Sequence, residues 1–282
     1  MVAERSGTVR PMRHAAFLPA FGEFADPVVV VELAAALEAG GWDGLFLWDH
    51  VVRPHEPERA LVADPWILLA AVATTTSRLR LGPMITPLAR RRPQKVARET
   101  VTLDHLSRGR LTFGVGLGVD SGGELGRFGE PTDDRARAAV YDEALVLLQA
   151  LWSGAEVNHH GDHFTAEGVT FLPRPVQQPR IPLWGAARGG GARRPVRRAA
   201  GLDGLFPVNT EVDQLLPMLD VVAAERGSLD GYDVVMEAPP DADLDRYEAA
   251  GVTWIMRGID DTRTAADVIA AAAQGPHGPP LS

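Results

Sequence analysis

The chain has no cysteine, no apolar run long enough to span a bilayer and no signal-peptide pattern. The first absence excludes disulfides and thiolate chemistry, and the other two favour a cytoplasmic protein with no membrane partner. The GxSxG, HExxH, Walker-loop and paired-cysteine motifs are also missing, so no common hydrolase or nucleotide-binding class is indicated. A formal net charge of -9 argues against a nucleic-acid partner.

Short apolar runs alternate with amphipathic stretches along the 282 residues. Apolar runs without polar alternation are typical of parallel strands that are buried on both faces. The predicted strands are 14–18, 44–48, 79–84, 110–115, 181–185, 203–208, 232–236 and 252–256. The predicted helices are 27–39, 62–76, 93–106, 133–152, 191–200, 211–226, 241–250 and 262–273. Eight such units predict an α/β fold, a (β/α)8 TIM barrel.

An open doubly wound sheet is the competing architecture, but the turn after the first predicted strand carries no phosphate-binding glycine loop. We expect one barrel domain over 13–274, with a flexible leader (1–12) and a flexible tail (275–282). Residues 155–172 alternate around a glycine and predict a short β-hairpin inserted before the fifth strand.

Asp49 and His50 stand where the second predicted strand ends. In a barrel of this type the carboxyl ends of the strands form the working face, so both are candidate catalytic residues. Histidine exchanges a proton near neutral pH, and an adjacent aspartate can orient it. The alternative is a pair that caps the backbone of a helix. The other strand ends predict a substrate pocket formed by Phe21, Trp48, Asp120 and Asn209.

Three further segments have less specific interpretations. Arg188–Gly191 follows a strand and precedes a helix, which suits phosphate binding or a flexible basic turn. The glycines of 114–118 are a weak dinucleotide signature and favour a close backbone approach to a ligand. Arg90–Arg92 predicts a solvated loop that could reach an anionic ligand. No metal site is expected, because the adjacent histidines of the hairpin point to opposite faces of a strand.

The sequence resembles the bacterial luciferase-like family of flavin- and deazaflavin-dependent oxidoreductases. The similarity is carried by GWDGLFLWDH (41–50), RLRLGPMITPLARRRPQKVARETVTLDHLSRGRLTFGVGLG (78–118), FGEP (128–131), LWSG (151–154) and PVQQPRIPLWGAAR (175–188). The resemblance implies a luciferase-like (β/α)8 barrel with a cofactor over its mouth, either the deazaflavin F420 or FMN.

The resemblance also implies roles for particular residues. Asp49 and His50 match the Asp-His pair that ends the second strand in the deazaflavin-dependent members, where the histidine acts beside the reactive ring. A non-proline cis peptide would lie at Pro83–Met84 or Met84–Ile85, and backbone N–H groups after the fifth strand would hold the cofactor phosphate. The implied cofactor-binding residues are Asp49, Pro83, Met84, Ile85, Gly116, Gly118, Trp184, Gly185, Ala186, Ala187 and Arg188.

Two departures from the family pattern affect the expected chemistry. Leu117 stands where bacterial luciferase has a phosphate-binding arginine, which favours F420 over FMN. Val119 stands where some deazaflavin dehydrogenases have a proton-donating acid, with Asp120 and Glu124 close by. The second departure counts against a sugar-phosphate dehydrogenase.

The resemblance therefore predicts an enzyme that transfers a hydride between F420 and a small organic substrate. One alternative is an FMN-dependent monooxygenase that uses reduced flavin and O2. Another is a non-catalytic barrel that serves as an accessory or binding subunit, against which the intact Asp49–His50 pair counts. A homodimer is possible, and a flavin or F420 reductase is the expected supplier of reduced cofactor.

Overall fold

Parallel strands and intervening helices form a nearly closed barrel in the computed structural model, which describes residues 11–54, 61–189 and 193–282. The strands are β1 (Arg13–Leu18), β2 (Gly44–Leu47), β3 (Arg80–Pro83), β4 (Thr86–Pro87), β5 (Phe113–Gly116), β6 (Glu156–His160), β7 (Thr165–Thr170), β8 (Leu183–Arg188), β9 (Gly204–Val208), β10 (Asp233–Glu237) and β11 (Trp254–Gly258). The helices are α1 (Pro27–Ala39), α2 (Pro65–Thr75), α3 (Pro93–Leu106), α4 (Asp134–Trp152), α5 (Arg193–Ala200), α6 (Leu215–Arg226), α7 (Leu244–Ala249) and α8 (Ala265–Ala272). The predicted barrel is confirmed.

The barrel sheet has the order β3-β2-β1-β11-β10-β9-β8-β5-β4, and its neighbouring strands are parallel. A parallel bridge between Leu81 and Leu111 joins the two ends. At this seam the Leu81 carbonyl accepts a hydrogen bond from the Thr112 N–H at 2.9 Å. A Cβ on Gly82 would lie 1.7 Å from the Thr112 carbonyl oxygen, so glycine is required for this close approach.

Side-chain alternation along the strands separates two apolar layers. One layer fills the barrel interior and is formed by Ala15, Phe17, Phe46, Met84, Trp184, Phe206, Val235, Trp254 and Met256. The apolar strand residues that alternate with these face the helices and pack in larger clusters outside the barrel. The interior layer forms the floor beneath the carboxyl ends of the strands.

Two helices begin at an Asp-Pro pair. The Asp26 carboxylate accepts the Val28 N–H at 2.8 Å, one residue before Pro27 opens α1. Asp64 accepts the N–H groups of Trp66 and Ile67 and so caps α2. An N-cap followed by proline satisfies the free N–H groups of the first turn and fixes the helical φ. Within the three described ranges, every helix is too short or too polar to cross a membrane.

The predicted hairpin is formed by β6 and β7, which pair antiparallel. One of its histidines, His159, lies against helix α4. The Nε2 atom of His159 is 3.0 Å from Glu143 Oε1, and the same carboxylate accepts the N–H groups of His163 and Phe164. The hairpin is therefore fastened to α4 through one carboxylate.

Parts of the last eight residues, which the sequence predicts as a flexible tail, contact the barrel, and the flexibility of this segment stays a prediction. Leu281 is only 2% exposed. Arg263 donates a hydrogen bond to the Pro280 carbonyl at 2.8 Å, and the His277 ring lies edge-on to His14 with centroids 5.0 Å apart. Burial of one leucine anchors a segment that cannot form a helix. Most of the predicted leader (1–10) lies outside the described residues.

Candidate active site

A cavity of about 670 Å³ opens at the carboxyl ends of the barrel strands, which is within the usual range for a small-molecule site. The predicted site residues that line it are Trp48, Asp49, His50, Met84, Ile85, Gly116, Gly118, Ala186, Arg188 and Asn209. The strand ends thus bring together residues that are far apart in the sequence. Each role assigned to them from the sequence stays a prediction.

Asp49 is the centre of a buried ionic network under one wall of the cavity. Its carboxylate accepts hydrogen bonds from Thr86 Oγ1 at 2.7 Å and from Trp66 Nε1 at 3.1 Å. Arg90 and Arg91 donate to the same carboxylate at 2.9 and 2.7 Å. Both oxygens are therefore satisfied by the protein. The Asp49 carboxylate therefore stabilises the arginines around the cavity, and its two oxygens are already hydrogen-bonded to protein groups.

The network reaches His50 through Glu124. Arg90 Nη1 donates to Glu124 Oε2 at 2.8 Å, and the Val51 N–H donates to the same oxygen at 3.2 Å. Glu124 Oε1 lies 3.1 Å from His50 Nδ1. Asp49 is thus linked to His50 indirectly, by way of Arg90 and Glu124. Within the described part of the chain, His50 Nε2 has no hydrogen-bond partner.

Both carboxylates of this network are held in the ionised form. Burial by itself raises the pKa of Asp49, but the charges of Arg91 and Arg90 and the Thr86 hydrogen bond outweigh it and leave that pKa below its ordinary value. Burial also raises the pKa of Glu124, and the His50 and Arg90 contacts again lower it overall. An ionised Glu124 only accepts hydrogen bonds, so Nδ1 of His50 carries the hydrogen and neutral His50 presents Nε2 as an acceptor.

Ile85, Gly116 and Ala186 form one stretch of the cavity wall. The Met84–Ile85 peptide is cis, one of the two positions that the family resemblance implied. A Cβ on Gly116 would lie 2.7 Å from Ile85 Cγ2 and 3.2 Å from the Ala186 methyl group. Glycine at this position therefore keeps the wall free of a projecting side chain. A planar ring can lie against such a surface.

Strand β8 divides its predicted site residues between two faces. Ala186 and Arg188 line the cavity. Gly185 and Ala187 face the helices, and Trp184 lies in the interior core, where its Nε1 atom donates to Asp233. These residues belong to a strand paired with β9, whereas the resemblance implied a loop. The loop begins at Gly189, and Gly190 and Gly191 of the predicted phosphate segment lie outside the described residues.

Three other predicted residues do not line the cavity. Phe21 is buried behind it, with its ring centroid 6.2 Å from those of Trp48 and His50. Pro83 belongs to the buried end of β3. The Asp120 carboxylate accepts the N–H groups of Leu125 and Gly126 and stabilises a turn.

The sequence interpretation omitted several residues of the site. The predicted solvated loop at 90–92 is wrong for Arg90 and Arg91, whose side chains are 7% and 19% exposed and bind Asp49. Glu124 is the partner of His50, and Glu237 at the end of β10 lines the cavity. The sequence gave a signal for Glu237 through its position at a strand end and for Glu124 through its place near the acid of some deazaflavin dehydrogenases. Over the ranges that the structure covers, no three potential metal ligands come together.

The comparisons with known proteins agree with this fold. The sequence model of the luciferase-like monooxygenase family matches residues 6–273. The chain therefore belongs to this family, as the resemblance indicated. It is 32% identical over 232 residues to an F420-dependent glucose-6-phosphate dehydrogenase of Nakamurella multipartita, which covers 79% of this chain and 66% of that protein.

A second relative is the F420-dependent glucose-6-phosphate dehydrogenase of Beutenbergia cavernae, 35% identical over 77% of this chain and 65% of that protein. The chain spans about two thirds of the length of these relatives. A solved structure of an F420-dependent secondary alcohol dehydrogenase, in complex with an F420–acetone adduct, superimposes with a TM-score of 0.78. That likeness covers 93% of this chain and 96% of the other at 19% identity, and it shows the fold.

Proposed function

We propose that the protein is an F420-dependent oxidoreductase that transfers a hydride between F420 and a small organic substrate. The observation that carries this proposal is His50, which lines the cavity while Glu124 fixes its Nδ1 atom. The names of the two relatives and Leu117 at the cavity wall support F420 over FMN. The proposal extends to a cytoplasmic enzyme supplied by a reductase, with a homodimer as the assembly.

The residues around the cavity fit this cofactor. Ile85, Gly116 and Ala186 would pack against a planar ring on this stretch of wall. Arg188 is exposed at the cavity and has no hydrogen bond or ion pair within the described ranges. A guanidinium in that position can bind a phosphate oxygen through two N–H groups. Arg188 would therefore hold the cofactor phosphate.

F420 supplies two-electron hydride chemistry when it is bound. The protein must then handle the proton that leaves or enters the substrate. His50 Nε2 can accept that proton because Nδ1 already donates to Glu124, and the Glu124 carboxylate stabilises the imidazolium that results. Arg90 holds Glu124 in place, and Asp49 holds Arg90. The buried network thus positions the proton acceptor.

Matched titrations with F420 and FMN test the proposal. We expect F420 to quench protein fluorescence at lower concentration than FMN, because Leu117 stands where bacterial luciferase has an arginine that binds the FMN phosphate. Tighter binding of FMN would favour the reduced-flavin monooxygenase instead. Binding of neither cofactor would contradict the assignment as an oxidoreductase and favour the accessory subunit.

The Arg188→Ala variant should bind F420 about 1.5–3 kcal/mol more weakly, since one charge-assisted hydrogen-bonding group is lost. Arg197→Ala is the matched control, because Arg197 is 60% exposed on α5 and pairs with Glu225 outside the cavity. The measurement is the dissociation constant of F420 for the three proteins. An unchanged affinity of Arg188→Ala for F420 would contradict the assignment of Arg188 to the phosphate site.

A further inference from the structure

We propose that Glu237 selects the substrate of this site, favouring an uncharged or cationic molecule with an apolar body and a hydroxyl or ammonium group that donates to the Glu237 carboxylate. The inference rests on the proposed function and adds the substrate class. It excludes substrates that present a carboxylate or phosphate at this position.

The position of Glu237 follows from the alternation of β10. Val235 lies in the barrel interior, whereas Val234 and Met236 pack outside it. Glu237 is the next inward-facing residue and is the last residue of the strand. A Cβ on Gly258 of the neighbouring β11 would lie 3.1 Å from Glu237 Oε1, so the carboxyl group leans over that glycine. Glu237 therefore stands in the mouth of the barrel.

Apart from Arg188, the other carboxylates and guanidinium groups that line the cavity are already paired. Asp49 and Glu124 bind arginines, Asp134 binds Arg137, and Arg198 binds Asp142. Glu237 has no hydrogen bond or ion pair in the described part of the chain and is accessible through the cavity. Desolvation of the carboxyl group raises the pKa of Glu237, and no neighbouring charge offsets this effect. A hydrogen-bond donor on the substrate would satisfy this carboxyl group, and an anion would be repelled.

The wall next to Glu237 is apolar. Phe17, Trp48, Phe206 and Val208 line the same cavity, and the Phe17 ring lies 5.5 Å from that of Trp48 and 5.8 Å from that of Phe206. In the register of the sheet, Glu237 is flanked by Met256 of β11. This surface suits the carbon skeleton of a substrate, with aromatic rings as good partners. Arg188 and Arg198 are the guanidinium groups of the lining that the structure describes, and Arg188 is assigned to the cofactor.

Three small aromatic probes test this inference, namely benzylamine, benzyl alcohol and benzoate. Their binding to the F420-loaded protein and to the cofactor-free protein is measured by calorimetry or saturation-transfer NMR. We expect wild type to bind benzylamine at least about tenfold more tightly than benzoate, the effect of a single ionic hydrogen bond in a partly desolvated site. Benzyl alcohol should lie between them.

The Glu237→Gln variant keeps the size of the side chain and should remove most of the difference between benzylamine and benzoate. Glu248→Gln makes the same change on the exposed surface of α7 and should preserve the wild-type ratio. Equal binding of the two charged probes to wild type, no binding of any probe, or an unchanged ratio in Glu237→Gln would each overturn the inference. Circular dichroism of both variants confirms the fold. Because the cofactor-free protein is measured as well, failure to bind F420 contradicts the proposed function separately.

Discussion

Turnover by His50→Ala is expected to fall by about 10²–10⁴-fold, the usual contribution of a positioned general acid or base. The loss should be in turnover at saturating substrate, because His50 Nε2 would act on the proton that moves in the transition state. Glu124→Gln should reduce the rate less, since an amide can still accept the Nδ1 hydrogen bond but no longer balances the imidazolium charge. Rapid-mixing measurements of F420 oxidation or reduction give both rates.

F420 affinity is the control for this experiment. We expect the dissociation constant of His50→Ala to remain close to that of wild type, because Ile85, Gly116, Ala186 and Arg188 are unchanged. His105→Ala alters an exposed histidine on α3 and should retain full activity. A wild-type rate in His50→Ala would leave the histidine with a purely structural role.

Asp49→Asn should destabilise the folded protein by about 3–5 kcal/mol, the range for removing one partner of a buried ion pair. The Asp49 side chain has no exposed surface, and its carboxylate is the counter-charge for Arg90 and Arg91. An amide would leave two largely buried guanidinium groups with Glu124 as their remaining anion in this network. Urea unfolding followed by fluorescence measures the loss.

A surface pair provides the contrast for Asp49. Asp213 is 80% exposed and pairs with Arg246, so Asp213→Asn should cost less than about 1 kcal/mol. Since the folded-state pKa of Asp49 is lowered, its contribution is present above the ordinary aspartate pKa and is lost as the pH falls towards the folded value. Acid unfolding of wild type should therefore depend more steeply on pH than that of Asp49→Asn. Similar losses in both variants would contradict the network.

The fold could be predicted because its determinants are local. Apolar runs of strand length recur between amphipathic segments, and capping pairs such as Asp26–Pro27 mark helix starts in the sequence itself. Every predicted strand overlaps an observed one. Strand ends also identified the face of the barrel on which the cavity opens.

The site required information that a single sequence does not contain. Arg90 and Glu124 lie 41 and 75 positions from Asp49 in the chain, and only the closed barrel brings their side chains together. A run of arginines in a sequence predicts an exposed loop, because charged side chains are rarely buried without a partner. The buried partner, Asp49, is seen only in the structure. The sequence interpretation assigned residues 184–188 to the site together. Successive side chains of a strand point to opposite faces, so Gly185 and Ala187 face the helices instead of the cavity.

Gly185 has a consequence for protein engineering. A Cβ at this position would lie 2.8 Å from the Ala199 Cβ and 2.9 Å from its Cα, so helix α5 rests directly on the backbone of β8. The same helix carries Pro195 and Arg198 to the cavity rim. Any larger residue at 185 must push α5 outward, and this shift also moves Pro195 and Arg198 at the cavity rim. A library designed to widen the substrate range should therefore include position 185, although no atom of Gly185 touches the cavity.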